Sequence, residues 1–191
     1  MIRNCLIFVL LGLVTGCTSL PVRTDYDPEV NFAAFRHYAW LERQPAAAGD
    51  PRIDDNPLLH QRVRAAIDSG LQAAGYAAAD PGTADFLVSY YLTIDQMTSV
   101  TYINNYWGYG PGSGSRYYRY NRPGFYPVYS EPVVYEYEQG TLVLDFIQPQ
   151  GRELVWRGAT SSEIDYAASP EARQKKLHRA VNAILAEFPP R

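Results

Sequence analysis

Cys17 is the residue of this sequence whose chemistry is most clearly indicated. It follows an aliphatic residue and two small residues, Val14-Thr15-Gly16, and this order looks like a bacterial lipobox. The small residues let the backbone enter a peptidase cleft, and the thiol is the nucleophile that accepts a diacylglyceryl group. We therefore expect lipidation of Cys17 and cleavage after Gly16.

The residues around Cys17 agree with this expectation. Arg3 is basic and residues 5–14 are apolar, a run too short for a bilayer core of about 30 Å but typical of a signal peptide. We predict a lipoprotein signal peptide at 1–16 and a lipidated N-terminus with a short tether at 17–20. Thr18, rather than Asp, after the cysteine resembles outer-membrane sorting, so the predicted location is the periplasmic face of the outer membrane. Acyl chains would be the membrane contact.

Histidines give no indication of a metal or catalytic site. His37, His60 and His178 lie on separate predicted elements, without a metal-ligand spacing such as HxxxH. The sequence also lacks CxxC, Walker, GxGxxG and GxSxG motifs. We therefore expect no metal, no cofactor and no catalytic residues, and predict that the protein is not an enzyme.

Three acidic residues leave a less favoured alternative, an envelope hydrolase. Such an enzyme would need Asp145, Glu163 or Asp165 to approach a histidine in a cleft. We instead expect Asp145 to be exposed, or paired with Arg157 across a hairpin.

The segment 102–129 differs in composition from the rest of the chain. It holds eight Tyr, one Trp and one Phe among five Gly and three Pro, and its only charges are three Arg. Three hypotheses remain open: a mobile β-hairpin extension whose rings pack on each other or over the open face of the sheet, a surface for envelope proteins or glycans, and a membrane-contacting loop. A net charge of −3 and an envelope location argue against nucleic acid. The predicted contact residues are Tyr106, Trp107, Tyr109, Tyr117, Tyr118, Tyr120 and Phe125.

The remaining sequence predicts the elements of one domain. Apolar residues at helical spacing indicate a helix from Pro57 to Gly75, with Asn56 as its cap, and a second helix from Pro170. His60 and Asp68 are expected to face water. Residues 42–55 are predicted to be a loop, and strands are predicted at 37–41, 86–94, 141–147 and 153–160, the last two as a hairpin with Leu154 and Trp156 on its buried face.

This order of elements predicts an α+β fold. Two one-faced helices need one apolar sheet face to cover, which gives a two-layer sandwich of a mainly antiparallel sheet with both helices on one face. The predicted domain spans residues 21–191, with the Tyr/Gly/Arg-rich insert at about 96–131. The leading functional hypothesis is a non-enzymatic interaction or assembly module of the envelope. The alternative is a carrier for a small apolar or lipid ligand between sheet and helices, in a cavity lined by Phe86, Tyr90, Leu144, Trp156 and Leu185.

Several short motifs follow one another in order along the chain: Thr24–Pro28, Phe32, Phe35, Tyr38–Trp40, Asn56–Leu58, Gly75–Tyr76, Ala84–Val88, Gly140–Val143, Leu154–Gly158 and Phe188–Pro190. In this order they resemble the motifs of the bacterial lipoproteins of the DUF4136 family. The similarity covers nearly the whole chain after Cys17, apart from the tyrosine-rich segment. The resemblance implies the fold and the location, and it implies no catalytic residues, because the name denotes a domain of unknown function.

Overall fold

The computed structural model describes residues 20–42, 49–104 and 130–190. A 3₁₀ turn spans Phe32–Ala34. The helices are α1 Pro51–Asp54, α2 Pro57–Ala73 and α3 Pro170–Leu185. The strands are β1 Val22–Tyr26, β2 His37–Trp40, β3 Ala77–Ala78, β4 Phe86–Asn104, β5 Ser130–Ile147 and β6 Leu154–Glu163. Within these described ranges, no helix has the length and apolarity needed to cross a bilayer.

The strands form one mixed sheet in the order β1-β6-β5-β4-β2-β3. The pairs β1–β6, β6–β5 and β5–β4 are antiparallel, whereas β2 pairs in parallel with both β4 and β3. The predicted α+β class is therefore confirmed, and the sheet is mainly antiparallel. In the parallel part of the sheet, β2 and β4 are neighbours although α1, α2 and β3 lie between them in the chain.

Both ends of α2 are set by capping residues that can be recognised in the sequence. The side-chain oxygen of Asn56 accepts a hydrogen bond from the Leu59 N–H at 3.0 Å, and Pro57 occupies the first helical position. At the other end Gly75 has a φ of +93°, and the Tyr76 N–H donates to the Leu71 carbonyl at 3.0 Å. The predicted start and stop are thus confirmed.

The core lies between the sheet and the helices α2 and α3. At one end of it, aromatic rings surround Phe188, which follows α3. Polar groups also connect the two layers. The Asp68 carboxylate of α2 accepts hydrogen bonds from the Tyr38 hydroxyl at 2.8 Å and the Trp40 indole at 2.9 Å, both on β2. Burial and the nearby Asp68 raise the pKa of Tyr38 to about 12. The prediction that Asp68 faces water is therefore wrong, because its side chain reaches the sheet.

Asp85 joins the parallel strands. Its carboxylate accepts hydrogen bonds from the backbone N–H groups of Arg36 and His37, both at 2.8 Å. These bonds stabilise the charged form, so the pKa of Asp85 is below its ordinary value. The contact connects the start of β4 to the start of β2, and so helps to set the register in which Tyr38 pairs with Phe86.

Two local predictions are corrected. The predicted loop at 42–55 contains α1, which begins at Pro51 because the Asp50 side chain accepts a hydrogen bond from the Arg52 N–H at 2.9 Å.

Leu154 was predicted to be buried but is 46% exposed. A β-bulge pairs Phe146 with Trp156 but Ile147 with Leu154, so Leu154 turns away from the core.

Candidate functional site

Several predicted site residues lie outside the described ranges. They are Cys17, the signal peptide at 1–16, and the seven predicted contact residues Tyr106, Trp107, Tyr109, Tyr117, Tyr118, Tyr120 and Phe125. Both ends of the segment that carries these aromatics are nevertheless placed, because Asn104 pairs with Ser130. The segment is therefore attached at the far end of β4 and β5.

The described histidines and acids do not form a hydrolytic constellation. His60 contacts the Tyr90 hydroxyl at 2.8 Å and the Ile53 carbonyl at 3.1 Å, so it packs against the sheet rather than facing water as predicted. His37 lies 3.5 Å from Asp85. Among the residues described, no group of three His, Cys, Asp or Glu side chains is arranged to hold a metal ion.

The three acids of the hydrolase alternative have other partners. Asp145, which is 3% exposed, accepts two hydrogen bonds from the Arg157 guanidinium, each at 2.7 Å. The predicted pairing across the hairpin is therefore confirmed. Glu163 accepts a hydrogen bond from the Tyr135 hydroxyl at 3.1 Å, and Asp165 accepts one from the Ala167 N–H at 2.9 Å.

A polar network at one end of the sheet was not predicted. The Arg52 guanidinium lies 2.6 Å from Asp50 and 2.9 Å from Glu138, and the Tyr166 hydroxyl also donates to Glu138. Hydrogen bonds from Tyr166 and Arg52 hold the pKa of Glu138 below its usual range. The network connects α1 to β5 through Glu138 and to the segment after β6 through Tyr166. Burial of Ile53 also holds α1 in place.

A cavity of about 490 Å³ lies beside this network, between the sheet and the helices. Leu92, Ile94 and Leu142 of the sheet line it, together with Val63 of α2 and Leu177 of α3. None of the five residues predicted to line a ligand cavity takes part. Those residues, all buried in the filled core, are Phe86, Tyr90, Leu144, Trp156 and Leu185.

The strands β4 and β5 continue well past the rest of the sheet. The last partner on β6 is Glu163, opposite Gln139, so residues 96–104 and 130–138 form a ribbon of two strands alone. Within this two-stranded ribbon the opposed Val100 and Val134 are 52% and 58% exposed. Met97, Val133 and Tyr135 are also exposed. Exposed apolar side chains on a two-stranded ribbon are typical of an interaction surface.

The N-terminal strand begins at the same end of the sheet. Val22 of β1, Thr160 of β6, Leu142 of β5 and Leu92 of β4 pair in turn and so form one row across the sheet. The Thr160 hydroxyl donates to the Pro21 carbonyl at 2.8 Å, and Thr160 also lines the cavity. The chain before Val22, the cavity and the two-stranded ribbon thus share one end of the domain.

Comparison with known proteins decides the family. The family model described as a domain of unknown function, DUF4136, matches residues 22–190. The chain belongs to the DUF4136 family. The resemblance seen in the short motifs is thereby confirmed, and the molecular role of this family is unknown. No curated protein sequence matches the chain.

This DUF4136 domain is similar, at low sequence identity, to several solved structures. A PDZ domain protein from Parabacteroides distasonis matches with 12% identity and a TM-score of 0.53; the match covers 90% of this chain but only 36% of that protein. PelC from Paraburkholderia phytofirmans, solved as a dodecamer, matches with 12% identity, a TM-score of 0.47 and coverage of 90% and 98%. A DUF4136 family protein from Bacteroides thetaiotaomicron matches with 16% identity, a TM-score of 0.43 and coverage of 90% and 96%.

Proposed function

We propose that this DUF4136 chain is a lipid-anchored envelope protein on the periplasmic face of the outer membrane, and that it acts as a non-enzymatic interaction module. The observation that carries the proposal is the two-stranded ribbon of residues 96–104 and 130–138, with its exposed valines. The lipobox at Cys17 supports the anchoring. The non-enzymatic role is supported by the separate partners of the described acids and histidines.

The charge of the ribbon favours a protein partner. Asp95, at its base, and Glu131, Glu136 and Glu138 within it are acidic, and residues 95–104 and 130–138 contain no Lys or Arg. Anionic lipid headgroups would be repelled by such a surface, whereas a protein surface that combines apolar and basic residues would complement it. The segment that joins the two strands in sequence carries the opposite sign, because its only charged residues are three Arg.

Site-specific photocrosslinking in cells tests the ribbon. A photoreactive residue at Val134 is expected to form a discrete adduct with an envelope protein, because its side chain is 58% exposed on the ribbon. Leu58 on α2 is the matched control, being apolar and 61% exposed but far along the chain from the ribbon. Val100→Glu, directly opposite Val134 on the same face of the ribbon, should remove the adduct probed from Val134. Equal adducts from Val134 and Leu58 would count against a specific ribbon surface.

Substitution of the two cysteines tests the anchor. We expect Cys17→Ser to abolish incorporation of a labelled fatty acid and to release the chain from membrane fractions, because the thiol is the acceptor of the lipid. Cys5→Ser is the control and should leave both unchanged, since Cys5 lies in the predicted signal peptide. Mass spectrometry of the N-terminal peptide reads the result directly. An unmodified thiol at Cys17 in the wild-type protein would refute anchoring.

A further inference from the structure

The cavity between α3 and the sheet has an apolar interior. Its volume of about 490 Å³ is within the range of roughly 300–1,000 Å³ that small-molecule sites occupy. Leu92, Ile94 and Leu142 form its floor, and Leu177 and Ala180 of α3 form its roof. Although aromatics make up 14% of the chain, none of the described residues that line this cavity is aromatic. A flexible aliphatic chain suits such walls better than a sugar or a flat ring, which proteins commonly hold by stacking.

The rim of the cavity carries cations from one side of α3. Arg173, Lys176 and Arg179 recur at a spacing of three residues, and all three line the cavity. Among the residues that the structure describes, Arg173 and Arg179 form no ion pair within 4.0 Å, and Arg173 has an electrostatic interaction with the neighbouring Glu171. Lys176 donates to the backbone carbonyl of Glu163. These side chains can therefore offer charge-assisted hydrogen bonds to an anion at the mouth.

The cations outnumber the acids that line the same cavity. The two acids are Glu163 and Asp165, whose hydrogen bonds come from the Tyr135 hydroxyl and the backbone N–H of Ala167 and leave their negative charge in place. Three cations against two acids give the lining a formal charge of +1, which favours an anion at the rim. We propose that this cavity binds the aliphatic chain of a single-chain anionic amphiphile, a fatty acid, and holds its carboxylate at Arg173 and Lys176. The proposal depends on neither the ribbon nor lipidation of Cys17, so it stands or fails separately from them.

Titration with matched amphiphiles tests this site. The chain from residue 17 onward, with Cys17→Ser so that no acyl chain of its own competes, is titrated with dodecanoate and with dodecyltrimethylammonium below their micelle concentrations. Saturable binding of one dodecanoate per chain is expected, at least tenfold tighter than binding of the cationic amphiphile, because the apolar tail is shared and the head differs. Absence of saturable binding, or equal affinity for both, would overturn the proposal.

Variants of α3 locate the binding. Arg173→Gln combined with Lys176→Gln should weaken dodecanoate about tenfold and leave the cationic amphiphile nearly unchanged. Lys175→Gln is the control, since Lys175 is exposed on the same helix but does not line the cavity. Ala172→Trp, at an exposed position of the rim, should block binding of dodecanoate while thermal unfolding stays close to that of the parent. Unchanged dodecanoate binding in the double Gln variant or in Ala172→Trp would place the ligand elsewhere and refute the site.

Discussion

Phe188→Ala is expected to lower the free energy of unfolding by about 3–5 kcal/mol, the range for removing a fully packed aromatic side chain. Phe188 is 6% exposed, and six rings surround it at centroid distances of 4.6 to 6.4 Å. Since these rings come from the start, middle and end of the domain, no single neighbour can fill the space that the substitution leaves. They belong to Phe32, Phe35, Tyr76, Phe86, Phe146 and Trp156.

Urea unfolding followed by tryptophan fluorescence measures this loss, because Trp156 contacts Phe188. Phe188→Leu should lose less than Phe188→Ala, since more of the volume is kept. Leu58→Ala, at a side chain that is 61% exposed, is the control and should change stability by no more than about 0.5 kcal/mol. A loss below about 1 kcal/mol for Phe188→Ala would show that the cluster repacks around the gap.

Gly158→Val is expected to destabilise the domain by about 3 kcal/mol or more, at or beyond the upper end of the usual cost of overpacking. A Cβ at Gly158 would lie 2.5 Å from Cη2 of Trp156 and 2.6 Å from Cγ2 of Ile184. Both neighbours are fully buried, so neither can move away without displacing α3 from the sheet.

A matched glycine separates this steric cost from the general effect of losing a glycine. Gly82 has open space around its Cβ position and needs no positive φ, so Gly82→Val should be nearly neutral. Gly158→Ala should be intermediate, at about 1–3 kcal/mol. Thermal unfolding of the four proteins gives the order. Similar melting temperatures for Gly158→Val and Gly82→Val would mean that α3 does not pack on β6 as described.

The helices could be predicted because their signals are local. Asn56-Pro57 begins α2, Gly75 ends it, and the apolar spacing between them marks the face that the sheet covers. The fold class follows from these one-faced helices and from the alternation in β4 and β5. The family resemblance, which depends on short motifs, is confirmed as well.

The pairings that define the sheet could not be read in the same way. The parallel contact of β2 with β4 joins residues whose separation in sequence carries no turn signal, and the link through Asp85 is visible only in three dimensions. The two-stranded ribbon agrees with the hypothesis of a β-hairpin extension, but its strand bounds could not be predicted, because residues 96–104 have no buried face to produce an apolar period. His60 and Asp68 were misplaced because helical spacing does not show that a polar side chain reaches across to the sheet.

The cavity is a further case that periodicity could not resolve. The pattern of apolar residues correctly indicates which faces of α3 and β4 turn inward, but it does not show where the two separate. Tyr90 and Leu185 lie where the layers meet closely, and Leu92 and Leu177 lie where they diverge. The wrong set of lining residues was therefore chosen from the right face of each element.

The start of β1 and the ribbon lie at the same end of the domain, and this limits how a lipid-anchored molecule can be oriented relative to the membrane. Cys17 precedes Val22 by five residues, which span at most about 18 Å even when fully extended. From the row that joins Val22 to Leu92, β4 continues to Asn104, about 40 Å at ~3.3 Å per residue. If Cys17 is lipidated, this extended part of β4 is thus longer than the stretch of chain that connects the lipid to Val22. The ribbon therefore could not point straight at the bilayer, and the domain would be held at a tilt, with the ribbon within reach of proteins that are themselves confined to the membrane.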